Sequence, residues 1–240
     1  MIPIFYDFHL HSCLSPCGDE DMTPANLVGM AMIKGLQAIA LTDHNSSKNC
    51  PAAAKHAEEY GLTFLPGMEL TTQEEVHVVC LFPTLEDALA YDAFVHERIQ
   101  PVVNKPEYFG YERIMDENDC QTAEENLLLI NATTIPFDKV QDLVESYHGV
   151  MIPAHIDKSS NALIANLGFV PPDSHFTCVE YANLDNAPAL EEKNPYLKKC
   201  RKITDSDAHY LENINEAVHV LHVRENTPAG IIEMLRTPRN

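Results

Sequence analysis

The chain has 240 residues, and its 16 Lys plus Arg against 36 Asp plus Glu give a formal net charge of −20. That length suits one barrel-sized domain with a full core, and residues 1–240 are read as a single domain. The acidic balance repels phosphate backbones and argues against a long nucleic-acid polymer as partner, while clustered divalent cations would reverse the sign locally and admit a small anionic phosphate ester.

The N-terminus, Met1-Ile2-Pro3-Ile4-Phe5-Tyr6, lacks a basic region followed by a long apolar stretch. It reads as a first strand and not as a signal peptide. The apolar run Ile2 to Phe8 ends in Asp7-Phe8-His9-Leu10-His11. Thr23-Pro24 is a helix start, with Leu27, Met30, Ala31 and Ile33 as its apolar face and Gly35 as its stop. The strand Leu36 to Leu41 runs into Thr42-Asp43-His44, Pro51 to Gly61 is a second helix, and the strand Leu62 to Leu65 leads to Glu69. This alternation with short connections predicts a parallel sheet or barrel. Glu75 to Phe82 is a strand that carries His77 inside it, and a helix from about Thr84 to Ile99 follows.

Residues 101–135 break the rhythm as an irregular or hairpin insertion, with a helix expected near Glu124 to Ile130. A helix at Phe137 to Tyr147 precedes the strand that starts at Gly149 and runs into Ala154-His155. A short helix and loop at Ser159 to Pro172, strands near Thr177 to Tyr181, Lys202 to Thr204 and Ala217 to Val223, and a helix from Thr227 to Leu235 complete the set. Asp205-Ser206-Asp207-Ala208-His209 follows the second of these strands.

Seven scattered cysteines form no framework of regular spacings, which suits reduced thiols in the cytoplasm. Cys13 and Cys17 have no second cysteine pair to make a zinc knuckle with. No apolar run is long enough to span a membrane. Oligomeric state leaves no signature.

Strands that each deliver a His or a carboxylate at one end are how a (β/α) barrel gathers a site from distant sequence. His9 and His11, two apart in an extended segment, point to the same side and can reach one metal. Alone the pair is weak; its weight comes from His44, Glu69, His77, His155, Asp207 and His209 at equivalent positions. Histidine-rich ligation suits Zn, Mn or Fe better than Mg. Asp43 and Asp205 are placed to orient ligand imidazoles from behind. His56, His96, His148, His175, His219 and His222 read as ordinary surface or core histidines. Lys48 and Lys158, in the loops after His44 and His155, could meet a substrate phosphate, although solvated loop lysines are commoner.

These segments, Phe5 to Ser12, Gly35 to Asn45, Pro66 to Thr71, Val76-His77-Val78, Pro153-Ala154-His155 and Ser206 to His209, resemble the polymerase-and-histidinol-phosphatase (PHP) family of metal-dependent phosphoesterases. The resemblance covers nearly the whole chain in the family's order and is weakest in the 101–135 insertion. It implies a distorted seven-stranded β/α barrel with two or three divalent metals at the strand ends. It places His9, His11, Glu69 and Asp207 around one metal, bridged by Glu69 to a second that His77 and His155 also hold, with His44 and His209 on a third. Many family members carry an Asp where this chain has Cys17; either Asp19 or Asp21 reaches in instead, or Cys17 ligates, or the third site is weak. The implied reaction is hydrolysis of a small phosphomonoester or nucleotide by a metal-activated water, with Glu69 as bridge. Position alone suggests His209, or else a metal-bound water, as the donor of the leaving-group proton. The alternatives are a non-catalytic metal-binding module and an exonuclease working with a partner.

Overall fold

A computed structural model describes residues 1–239. In chain order its strands and helices are β1 (Ile2–Leu10), α1 (Pro24–Ile33), β2 (Ala38–Leu41), α2 (Cys50–Tyr60), β3 (Thr63–Thr71), β4 (His77–Leu81), α3 (Leu85–His96), α4 (Pro106–Phe109), β5 (Arg113–Met115), β6 (Gln121–Glu124), α5 (Phe137–Ser146), β7 (Val150–Pro153), α6 (Leu163–Leu167), β8 (Cys178–Glu180), α7 (Ala187–Lys193), β9 (Arg201–Ile203), β10 (Val220–Val223) and α8 (Pro228–Leu235). α1 begins as its sequence dictates: Thr23 accepts the amide of Asn26, and Pro24 sits in the first turn, where no backbone donor is needed.

Six strands form one curled sheet in the order β10-β1-β2-β3-β4-β7, and β8 pairs with β9 separately. β1, β2 and β3 run parallel, whereas β4 is antiparallel to both β3 and β7. The uniform parallel order expected from the alternation therefore fails at β4. A parallel connection needs a dozen or more residues. The chain instead turns between Thr71 and His77, with the amide of Thr72 donating to the carbonyl of Val76 at 3.0 Å.

The interior of the curl is one apolar cluster with residues from β1 (Tyr6, Phe8), β2 (Ala38, Ala40), β4 (Val79, Leu81), β7 (Ile152), β8 (Cys178), β9 (Ile203) and β10 (Leu221, Val223), capped by Ile231, Ile232 and Leu235 of α8. α1 and α2 cover the sheet's outer face over Ile39 and Leu41, and α3 and α5 cover it over Val78 and Cys80. Backbone hydrogen bonding from β8 and from the segment after β9 to the six-stranded sheet is sparse: the Ile156 amide donates to the Glu180 carbonyl, and a bridge joins Leu10 to Ala208. A closed seven-stranded barrel is thus not drawn by the hydrogen bonds. With three residues each, β8 and β9 offer too few backbone groups for continuous ladders.

The insertion contains α4 and the β5–β6 hairpin. The helix expected at Glu124 to Ile130 does not form. The Glu125 carboxylate accepts the amides of Asn126 and Leu127, and Asn45 draws the carbonyls of Leu129 and Asn131 to its side-chain amide. Such side-chain bonds compete with the helical ladder for the same groups. The hairpin is fastened to the loops after β1 and β2: the Arg113 amide donates to Cys13, and the Asn49 side chain bonds both Arg113 and Met115.

Candidate metal centre

One rim of the sheet collects the polar residues. His9 and Glu69 lie near the C-terminal ends of β1 and β3, and His11, His44 and His155 lie just past β1, β2 and β7. Asp207 and His209 follow β9 by a few residues. His77 is the first residue of β4, and because β4 runs the other way its start falls on the same rim. Three non-glycine residues there, Asn45, His155 and Asp207, hold positive φ of 49°, 29° and 52°. Backbone held in that sparsely populated region is typical of sites whose side-chain aim matters.

Glu69 is the hub, 1% exposed. Its Oε1 lies 2.8 Å from His77 Nδ1, 3.2 Å from His155 Nε2 and 3.2 Å from His9 Nε2. Its Oε2 lies 2.9 Å from His44 Nδ1 and 3.5 Å from His11 Nε2. Asp207 Oδ1 stands 3.5 Å from His9 Nε2 and 3.3 Å from His11 Nε2. Three sets have ligand atoms all within 4.8 Å of one another: His9, His11, Glu69 and Asp207; His44, Glu69 and His77; and His11, His44 and His209.

Several of these atoms are buried yet lack a hydrogen-bond partner, namely His9 Nε2, His11 Nε2, His44 Nδ1 and Glu69 Oε2. Buried polar atoms are normally paired. Lone pairs that converge without bonding one another are what ligands to shared cations present, so the residues fit a metal cluster.

The electrostatics agree. Burial opposes charge on Glu69, but the imidazoles of His77, His9 and His44 hold its carboxyl well below the usual range. Burial likewise opposes charge on His9, and Glu180, Glu69 and Asp207 overcome it and push the imidazole up. His11 goes the other way, lowered by burial and by its neighbours His209 and His44.

Of the residues expected to complete the third site, none joins a ligand set. Asp19 Oδ1 accepts the Asp21 amide at 2.9 Å, and the Asp19 amide donates to the His209 carbonyl. Asp21 is exposed. Cys17 keeps part of its surface in solvent, and desolvation, then the Glu69 carboxylate, push its thiol up to about 12. Lys158 Nζ lies 2.5 Å from Asp207 Oδ2, while Lys48 is ion-paired with Glu125 of the insertion. Among the described residues none of His56, His96, His148, His175, His219 and His222 belongs to a ligand set.

The supporting residues differ from those expected. Asp43 does not touch an imidazole: it accepts the Ser12 amide, the Ser12 hydroxyl and the Ser15 hydroxyl. Ser15 Oγ, having donated to Asp43, accepts from His11 Nδ1 at 3.0 Å and from the His44 amide at 3.1 Å. Asp205 accepts the Phe8 amide and ties the segment after β9 to β1. The acid that does touch an imidazole is Glu180, 2.8 Å from His9 Nδ1. A lone Glu in the apolar run Thr177 to Tyr181 was the available signal.

The sequence model of the PHP domain matches residues 7–215. The 5'-3' exoribonuclease Rnm of Salmonella typhimurium is 33% identical over 97 residues, 36% of this chain, and the chain spans about a third (32%) of that relative's length. Among solved structures, the lesion-specific endonuclease Q of Pyrococcus furiosus superimposes with a TM-score of 0.68 at 16% identity, over 98% of this chain and 56% of its own. A candidate metal-dependent phosphoesterase of Bifidobacterium adolescentis gives 0.55 at 18% identity, over 97% and 96%. At these identities the two structures speak for the fold alone. A relative named an exoribonuclease runs against the expectation, drawn from net charge, that nucleic-acid polymers are poor partners. Whole-chain charge does not describe a cleft that holds cations. Among the described residues no helix is long and apolar enough to cross a membrane.

Proposed function

The chain belongs to the PHP-domain family of metal-dependent hydrolases, and on that premise we propose that it hydrolyses a phosphate ester carried by a nucleotide or by the end of a nucleic-acid strand. The observation that carries this reading is Glu69, a buried carboxylate within 3.5 Å of five imidazoles. A scaffold has no use for such a cluster at a sheet rim.

In this reading Glu69 is shared between two sites. His9, His11 and Asp207 complete one, and His77 with His44 or His155 completes the other. His11, His44 and His209 offer a third, outer site. The histidine-rich donor set favours Zn, Mn or Fe over Mg. When bound, the metals supply Lewis acidity toward phosphoryl oxygens and acidify water.

The chain's own groups do the remainder. Lys158, at the mouth, is placed to meet a phosphate oxygen as a point charge. Lys48 fastens the insertion through Glu125, so we assign it no substrate contact. His209 Nδ1 lies 2.9 Å from the Asp207 carbonyl, a contact that requires a proton on Nδ1. Its Nε2 then faces the outer site, so His209 holds metal and the leaving-group proton comes from solvent.

Tyr108, Phe109 and Tyr111 favour a substrate that carries a base. They are exposed on the insertion, and Gly110 between them packs on Pro16 in the loop that follows His11. Base–aromatic stacking is sequence-tolerant and contributes about 1–3 kcal/mol per base. The test is turnover, with Zn, Mn or Fe supplied, of p-nitrophenyl phosphate, nucleoside monophosphates and end-labelled single-stranded RNA and DNA, alongside metal content by mass spectrometry. Phosphate release from mononucleotides alone selects the small substrate; shortening of oligomers one nucleotide at a time selects the exonuclease. No turnover under any metal refutes the proposal.

A further inference from the structure

We propose that Glu180 is the positioning residue of the metal centre, fixing His9 so that Nε2 alone faces the cluster. The inference rests on the metal-centre reading above and adds a residue that the ligand pattern does not contain.

Glu180 is 1% exposed, and its Oε2 lies 2.8 Å from His9 Nδ1. A carboxylate at that distance accepts a hydrogen bond, so the ring proton resides on Nδ1. The lone pair is thereby left on Nε2, which stands 3.2 Å from Glu69 and 3.5 Å from Asp207. The aim is set by backbone. The Glu180 carbonyl accepts the Ile156 amide, and the next residue, Tyr181, donates its amide to the Ile203 carbonyl. Alternation along β8 puts Glu180 on the same side as Cys178, which packs in the apolar interior.

That placement is costly. Glu180 Oε1 is buried without a partner, as is Oδ2 of the neighbouring Asp205, and Asp7 is buried nearby as a third acid. A residue present only to build the core would be apolar here. Acids behind metal-bound histidines fix the tautomer and orientation of the ring, and their loss weakens metal binding by roughly 10–100-fold. The two roles predict different signatures in metal binding. Substitution of a residue that positions His9 weakens metal affinity, whereas substitution of one that only builds the fold lowers the melting point and leaves affinity unchanged.

The experiment titrates the metal-free wild type, Glu180→Gln and Glu112→Gln with Zn in competition with a chromophoric chelator, and melts each protein without metal. Glu112 is a buried acid that touches no ligand histidine, so its variant controls for the mere replacement of a buried carboxyl group by an amide. Expected are a roughly 10–100-fold weaker Zn affinity for Glu180→Gln and no change for Glu112→Gln, while the metal-free Glu180→Gln also melts lower because its pairing with the buried His9 imidazole is lost. Equal affinity in Glu180→Gln overturns the inference, whatever the melting point of its metal-free form. A wild type that binds no Zn sinks the metal-centre reading itself, a distinguishable result. Should Glu180→Gln not fold, nitrogen NMR of the Zn-loaded wild type decides. A proton on His9 Nδ1 with metal on Nε2 supports the assignment, and the reverse overturns it.

Discussion

Glu69→Gln isolates the hub, because it keeps the shape of the side chain and removes one buried charge. At an effective dielectric near 20, a unit charge about 3 Å away is worth about 5.5 kcal/mol. Desolvation offsets part of that, and breaking one side of a buried ionic contact costs about 3–5 kcal/mol in practice. At about 1.4 kcal/mol per decade this is roughly a 10²- to 10⁴-fold loss of metal affinity. Because Glu69 is shared by two of the three ligand sets, two metals should leave together and the outer set should be affected least. The assay is metal content after dialysis against buffers of fixed free Zn or Mn, read alongside turnover. The metal-free variant should also melt lower than wild type. Glu69 has a depressed pKa in the fold, so its contribution is present above the unfolded value near 4.5 and fades as the pH falls below it. A variant that keeps its full metal content at the same free concentration would refute the shared-carboxylate argument.

Ser15→Ala frees His11 Nδ1 and removes the anchor between Asp43 and His44; a roughly 10–100-fold loss in metal affinity is expected by competition titration. Burial raises Glu112 from 4.5 to about 8, so the unfolded chain releases a proton that the fold keeps, and stability falls as pH rises through that window. Glu112→Gln should therefore gain on wild type between pH 5 and 8 by ~2–3 kcal/mol, seen as a melting point ~5–10 °C higher, and parallel pH curves would contradict it. Gly110 has φ of +98°, and a Cβ there would stand 2.0 Å from the Pro16 carbonyl. Gly110→Ala should loosen the insertion at a cost of ~1–3 kcal/mol, measured as a melting point lower by several degrees.

The sequence exposes the ligands because each one punctuates an apolar strand, and a polar residue at a strand end has few other reasons to recur. Strand direction was hidden: β4 carries the same apolar signal whichever way it runs, and only the short Thr71–His77 connection decides it. The same ambiguity made His77 look interior to a strand when it begins one. The helix expected at Glu124 to Ile130 failed because the Glu125 carboxylate and Asn45 take its backbone groups, and one partner lies some eighty residues away in sequence. Ser15 left no signal, and Glu180 only that of a lone acid in an apolar run, for a related reason. A serine in a turn and a glutamate in a buried strand have no periodicity, and their roles depend on which imidazole the fold sets beside them. Asp43 and Asp205 were recognisable as acids beside the ligands, but their partners are amides and hydroxyls rather than imidazoles.

The charge of −20 still bears on how a nucleic-acid strand would be engaged. Cations at the rim reverse the potential over a few ångströms, and beyond about 8–10 Å salt screens whatever field remains. A polymer would therefore be held by its last phosphates and terminal base, with the rest of the strand repelled by the acidic surface. In single strands each phosphate contact contributes about −0.7 to the slope of log affinity against log salt. Two or three terminal contacts give a slope of roughly −2, against −5 or steeper for a strand gripped along its length. The expected outcome is a kcat/KM that is flat from dinucleotides to oligomers of ~20 nucleotides, with only a shallow decline as salt rises. A rate that climbs with length together with a steep salt slope would mean that a basic surface from a partner, and not this chain's rim, recruits the strand.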